Sequence, residues 1–167
     1  MSVLKIHTYP DEILKRPADP LKDINGKVQP LIDDMINTMH AAPGIGLAAP
    51  QIGKSDRLVV VDITNAEEEH PLIVLINPVI AEFEGKMDSE EGCLSVPDYI
   101  YTIRRHEKIL VKGLDRNGKE IEIEATGLLS RALQHELDHL DGILFIDRLS
   151  KIKKEFFKKR YLKALRN

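Results

Sequence analysis

The sequence predicts an α+β domain: mostly antiparallel sheets packed around a central helix, with a further helix at the C-terminus. Three observations carry this. Val- and Ile-rich segments cluster between two helical stretches instead of alternating with them, which favours antiparallel over parallel pairing. The second helical stretch has an apolar arc that also carries histidines and a glutamate. The last 17 residues combine a spaced set of apolar side chains with a dense run of Lys and Arg. A length of 167 residues fits one domain spanning 1–167, large enough to bury a core without disulfides.

Taken in order, Val28 to His40 places Leu31, Ile32, Met35, Ile36 and Met39 at helical spacing, and Ala41-Ala42-Pro43-Gly44 ends the helix. A stretch of mostly small residues follows from Gly44 to Gly53. Leu58 to Ile63, Leu72 to Phe83, Ile100 to Ile103 and Ile109 to Leu114 read as strands. Asp115-Arg116-Asn117-Gly118 is a turn, and Glu120 to Glu124 alternates, closing a hairpin with Ile121 and Ile123 inward. Leu128 to Leu140 is the central helix, stopped by Gly142. In the tail, Phe157, Tyr161 and Leu165 recur every four residues, so 151–167 reads as a basic C-terminal helix.

Composition excludes several classes. The single cysteine, Cys93, rules out an internal disulfide and fits a reducing compartment. The longest apolar run, around Leu72–Ile76, is far short of the ~20 residues a spanning helix needs, and Lys5 and His7 interrupt the N-terminus where a signal peptide would be apolar. The cytoplasm is the expected location. Few aromatics and no Trp argue against a stacking platform for single-stranded nucleic acid. Charge is uneven: the last 17 residues hold eight Lys/Arg and one acid, a net +7, which leaves the first 150 residues at −10. Neither a membrane nor DNA is an expected partner of that body; the tail is either a solvated helix face or a surface for an anionic partner such as RNA.

The central helix carries the chemistry. Gln134-His135-Glu136-Leu137-Asp138-His139 contains His-Glu-x-x-His. Four residues make about one turn, so both imidazoles leave one side of the helix and can share a metal ion. At ~100° per residue, His135, His139 and Glu136 sit with Ala132, Leu129, Leu133, Leu137 and Leu140 on the inward, apolar arc, and Ser130, Arg131, Gln134, Asp138 and Asp141 occupy the remainder. Buried polar groups need partners, and a metal supplies one. A catalytic metal needs a third protein ligand. The downstream position used by metzincin-type proteases is Phe145, which cannot ligate, and Glu155 lies in the basic tail. That leaves Cys93, in Glu91-Gly92-Cys93-Leu94-Ser95-Val96-Pro97, where Gly92 permits close backbone approach. A Cys/His/His site keeps one position open for water. His7, His40, His70 and His106 have no such spacing and read as ordinary side chains.

Three segments together, Gly44-Ile45-Gly46-Leu47-Ala48-Ala49-Pro50-Gln51, Glu91-Gly92-Cys93-Leu94-Ser95 and Gln134-His135-Glu136-Leu137-Asp138-His139, resemble the motifs of the peptide deformylases in order and spacing, over essentially the whole chain. The resemblance implies a metal-dependent hydrolase that removes the N-formyl group from the N-terminal methionine of nascent polypeptides and releases formate. It implies Cys93, His135 and His139 as metal ligands, Glu136 as general acid/base, and the Gln51 amide and Leu94 N–H as oxyanion donors. It further implies Ile45 and Gly46 as a strand edge for the peptide, beside Glu91 and Gly92. Fe²⁺ is the physiological ion it implies; Zn²⁺, Ni²⁺ and Co²⁺ also suit such donors. Ribosome contact through the basic tail follows from where nascent chains emerge.

Two positions depart from the expected pattern. Arg131 stands one turn before His135, where relatives often carry an apolar residue, so it must point away or extend its head to solvent. Ile100 stands where an Arg is expected, leaving Arg105 available to pair with Glu91. Two other readings use the same residues: a zinc endopeptidase of unusual ligation, and a structural metal module closed by a fourth protein ligand.

Overall fold

The structure, a computed structural model, describes residues 2–64 and 71–167. Helix α1 (Val28–Ala41) precedes strands β1 (Gly46–Ala48), β2 (Leu58–Val61), β3 (Ile73–Glu84), β4 (Met87–Cys93), β5 (Val96–Arg105), β6 (Lys108–Leu114) and β7 (Glu120–Thr126); α2 (Gly127–Leu140) and α3 (Lys151–Leu165) follow. One five-stranded antiparallel sheet runs β1-β2-β3-β6-β7, and β4-β5 form a separate hairpin. The α+β class with antiparallel sheets around α2 is as the sequence predicts. Periodicity reveals neither β1 nor β4, because neither alternates: one is made of small residues, where only the family resemblance implied a strand edge at Ile45 and Gly46, and the other is Met-Asp-Ser-Glu-Glu-Gly-Cys.

Strand β2 explains the layering. Leu58, Val59, Val60 and Val61 are all fully buried, so both faces of the sheet are covered here. Leu58 and Val60 meet α1 through Ile32, Met35 and Met39, together with Leu47 and Ile76. Val59 and Val61 meet α2 through Leu129, Leu133, Leu137 and Leu140, together with Leu75, Ile109 and Val111. Ile121 and Ile123 pack against this second cluster, on the inner side of β7. The sheet is therefore sandwiched between α1 and α2 at β2, and β1 lies at its edge beside α2.

A third cluster anchors the hairpin and the tail. Tyr9, Leu14, Val96, Ile103, Phe145, Phe157 and Tyr161 share it, with Tyr99 and Tyr101 half-buried against it. The Phe157 ring meets Tyr9, Tyr99 and Tyr101 edge-on, with centroids 5.6, 5.0 and 6.1 Å away. Of the apolar series expected for α3, Phe157 and Tyr161 are buried but Leu165 is exposed, because the helix runs past the body in its last turn. No helix among the described residues is long and apolar enough to cross a membrane.

Truncation of the buried ring, Phe157→Ala, is expected to cost about 3–5 kcal/mol of unfolding free energy. The same change at exposed Phe156 is expected to stay within about 0.5 kcal/mol. Urea unfolding of both variants checks the docking of α3.

Candidate active site

Helix α2 is buried nearly all round, and this is where the wheel drawn from sequence fails. Ser130, Gln134 and Asp138, placed outside the apolar arc, are buried along with His135, Glu136 and His139. The outer side of α2 is covered by the β4-β5 hairpin and by the residues that follow α2, which a helical wheel cannot see. Gln134 is satisfied by its Oε1 accepting from the His106 N–H at 3.0 Å and its Nε2 donating to the His106 carbonyl at 2.8 Å. Asp138 accepts from Arg105 at 2.6 Å and from Arg148 at 2.6 and 3.0 Å. Arg148 and the role of Asp138 were missed from sequence. The available signal was an acid placed in a helix that has too many leucines for one face.

Arg105 ties the hairpin to the helix. It donates to Glu91 Oε1 and Oε2, both at 2.8 Å, as well as to Asp138, and is itself buried. This is the Glu91–Arg105 pairing anticipated above. Glu91 Oε1 also lies 2.9 Å from His135 Nδ1. Burial alone would raise the Glu91 pKa, but the hydrogen bonds from Arg105 and His135 outweigh it and hold the carboxyl at about 2. An ionised Glu91 accepts the Nδ1 proton of His135, which fixes Nε2 as the ring's free donor atom.

Three donor atoms converge: Cys93, His135 and His139 each offer one within 4.8 Å of the others. Cys93 Sγ is 3.4 Å from His139 Nε2. Ions held by thiolate and imidazole sit ~2.0–2.3 Å from their ligands, so this spread suits a single cation. One sulfur and two imidazole nitrogens are the donor chemistry of Zn²⁺, Fe²⁺ and neighbouring divalent ions. Among the described residues no carboxylate joins this trio. Glu155 is exposed on α3, as expected from its place in the tail.

Around the trio, Glu136 is buried and its Oε1 has no hydrogen-bond partner. Burial pushes its carboxyl up to about 7, against the lowering influence of His135 and Arg105. Gln51 is buried too: its Oε1 accepts from the Ala48 N–H at 2.9 Å, and its Nε2 donates to Ser95 Oγ at 3.1 Å and faces Cys93 Sγ at 3.7 Å. Ser95, a second residue the sequence did not single out, thus orients Gln51. Its N–H also points at Cys93 Sγ, at 3.4 Å. Leu94 occupies the turn between β4 and β5 and lines the cavity.

That cavity, of about 550 Å³, is bordered by Ile45 and Gly46 at the sheet edge, by Glu91, Gly92 and Cys93 on the hairpin, and by His135 and Glu136 below. Gly46 is required here: a Cβ would strike the Glu136 side chain, with Cδ only 2.8 Å away. Arg131 also lines the cavity, half-buried, so it does not turn away; Ile100 lines it while largely exposed. His7 and His40 pair with Asp11 and Asp62, both at 2.7 Å, and His106 stacks on Phe83, outside the trio. His70 lies outside the described residues.

A His-Glu-x-x-His helix wrapped by antiparallel sheets, with a sulfur donor beside it and an unpaired carboxylate in an open cavity, has the make-up of a metal-dependent hydrolase. Comparison with known proteins narrows this. The family model for polypeptide deformylase matches residues 3–155. A peptide deformylase of Thermodesulfovibrio yellowstonii is 60% identical over 161 residues, covering 96% of this chain and 98% of that protein. The crystal structure of a peptide deformylase from Legionella pneumophila superposes with a TM-score of 0.91 at 46% identity, covering 99% of this chain and 96% of that one. One from Ehrlichia chaffeensis, in complex with actinonin, gives 0.92 at 41% identity with full coverage of both chains. The chain belongs to the polypeptide deformylase family, enzymes that remove formyl groups from nascent peptides.

Replacing Arg105 by Met is expected to leave Glu91 and Asp138 buried without their shared cation and to destabilise the fold by about 3–5 kcal/mol. Denaturant unfolding measures this. A loss under about 1 kcal/mol would mean that Arg148 and water satisfy both acids without Arg105.

Proposed function

We infer that this chain hydrolyses the formyl amide of N-formyl-methionyl peptides, with Cys93, His135 and His139 holding the divalent ion and Glu136 moving the proton. The observation that carries the reading is the meeting of three donor atoms with a buried carboxylate oxygen that nothing else in the fold engages, at the foot of a peptide-sized cavity. A divalent ion in that donor set supplies a Lewis acid and lowers the pKa of water toward neutrality. Glu136 takes the proton from the attacking water and hands it to the methionine nitrogen as the C–N bond breaks, leaving formate and a free amine. The second Nε2 hydrogen of Gln51, directed toward the thiol side of the cavity, and the Leu94 N–H are the donors for the developing oxyanion. The main chain of Ile45 and Gly46, at the edge of the sheet, takes the peptide as an added strand, and Glu91 and Gly92 border its other side.

Fe²⁺ is the proposed native ion, with Zn²⁺, Ni²⁺ or Co²⁺ able to replace it. The proposed setting is the cytoplasm, and the proposed unit is a single domain over 1–167 with residues 151–167 as its basic helix. The three-donor set favours catalysis over a closed structural site, which takes four protein ligands. An endopeptidase would cleave unformylated internal bonds, and family membership weighs against it.

Formate release from formyl-Met-Ala-Ser by anaerobically prepared, Fe²⁺-loaded protein is the direct test. Glu136→Ala is expected to keep its metal and lose at least about 100-fold in kcat, and Cys93→Ala to lose the metal by elemental analysis. Unchanged turnover in the first, or full metal retention in the second, removes that residue from its role. An anaerobically purified sample rich in zinc and poor in iron would overturn the choice of native ion.

The exposed side of α3 presents Lys153, Lys159, Arg160 and Lys163, a surface proposed to contact ribosomal RNA. Deleting the helix is not a clean test, because Phe157 and Tyr161 belong to the core. Changing those four cations to Glu is expected to weaken ribosome co-sedimentation at least about tenfold while leaving turnover of a free formyl-peptide intact. Equal co-sedimentation refutes the contact.

A further inference from the structure

Every buried charge at the foot of the cavity has an assigned partner or role, but a cation on its wall does not. Arg131 is half-buried, lines the cavity, and makes no ion pair or side-chain hydrogen bond among the described residues. It stands four residues before His135 on α2 and so lies on the same side of the helix, about 6 Å further along its axis. The helix runs from the half-buried Arg131, through His135, to the fully buried His139. A peptide whose formyl group reaches the trio therefore leaves the site along α2 in the direction of Arg131.

An added strand fixes which peptide residue arrives there. Side chains one and three of an extended peptide share a face and lie ~6.6 Å apart, whereas side chain two points to the other face. Ala132 and His135 both line the cavity, and a methionine side chain set against them would place the third residue level with Arg131. Two acids, Glu90 and Asp98, also line the cavity, but from the hairpin wall, where both are exposed to solvent that screens them. Glu91 is already paired with Arg105 and His135. Arg131, half-buried as a residue, is thus the uncommitted cation lining this side of the cavity, and its planar fork matches a carboxylate.

We propose that Arg131 is a specificity-determining residue that selects an acidic side chain at the third position of the formyl-methionyl peptide. The inference rests on the deformylase reading above and adds a substrate preference to it. The peptide's entry is unaffected in kind: Ile100 on the opposite wall, largely exposed, offers apolar contact and no competing charge.

The test compares kcat/KM of the metal-loaded wild type for formyl-Met-Ala-Asp, formyl-Met-Ala-Asn and formyl-Met-Ala-Lys, with formyl-Met-Asp-Ala and formyl-Met-Asn-Ala as the positional control. Asp at the third position is expected to exceed Asn by about three- to tenfold, mostly through KM, and the advantage is expected to shrink with added salt. The second-position pair is expected to differ little. In Arg131→Gln the third-position Asp/Asn ratio is expected to fall to about one, in Arg131→Lys to be partly retained, and in Arg131→Glu the preference to pass to Lys. A wild-type ratio near one, a preference for Lys, or a ratio that survives in Arg131→Gln overturns the assignment. Failure to turn over any of the five peptides refutes the deformylase reading itself, which separates the two outcomes.

Discussion

The structure depends on one constraint: a helix with five polar or ionisable residues in its last two turns, Gln134, His135, Glu136, Asp138 and His139, is placed in the middle of the core. Burying such groups unpaired would cost several kcal/mol each. The remainder of the fold supplies partners for Gln134, His135 and Asp138, and leaves Glu136 Oε1 and His139 Nδ1 without a hydrogen bond. The hairpin β4-β5 pairs only with itself, yet it brings Glu91 to His135, Arg105 to Asp138 and Cys93 to His139. Arg148, just past α2, closes the other side of Asp138. The hairpin is held to the helix chiefly by charge and the helix to the main sheet by leucines, and so the candidate metal site falls on the seam between an ionic face and an apolar one.

This division explains which buried groups stay unengaged. Asp138 and Glu91 are both fully committed to arginines, so neither competes for a cation at the trio. Glu136 has no partner on Oε1, and its other carboxylate oxygen, Oε2, lies against Gly46 at the sheet edge. A side chain at Gly46 would strike the Glu136 carboxylate and displace it.

Much of this was legible in the sequence, and the failures have physical reasons. Helices α1 and α2, the long strands and the 115–118 turn follow from periodicity and turn chemistry, and their bounds agree to within a few residues. The candidate ligands and Glu136 were found because His-Glu-x-x-His has a fixed helical meaning and Cys93 stood alone. What could not be read was tertiary. A wheel assumes one covered face, so Ser130, Gln134 and Asp138 were placed outside when a second layer in fact covers them. Strand β4 has no hydrophobic alternation because its inward residue is Glu91, a charge satisfied by Arg105 from 14 residues further on. Leu165 continued a four-residue spacing but lies beyond the end of the surface it would pack on.

The C-terminal helix joins the two halves of this argument. Its inner side is aromatic: Phe157 meets Tyr99 and Tyr101, Tyr101 lies 6.3 Å from Phe145, and Phe145 stacks on His135 at 6.1 Å. Tyr99 also lines the cavity. The cavity wall and the ring stacked on a candidate ligand thus lean on the same helix, and the last 17 residues to which it belongs carry a net +7 against −10 in the rest of the chain. Only Phe157 and Tyr161 of α3 are buried, and Ile152, Phe156, Leu162 and Leu165 share the exposed surface with the cations. Complete burial of Phe157 makes α3 part of the wall that carries Tyr99 and Tyr101, so the helix is a structural element of the cavity whatever its exposed cations meet.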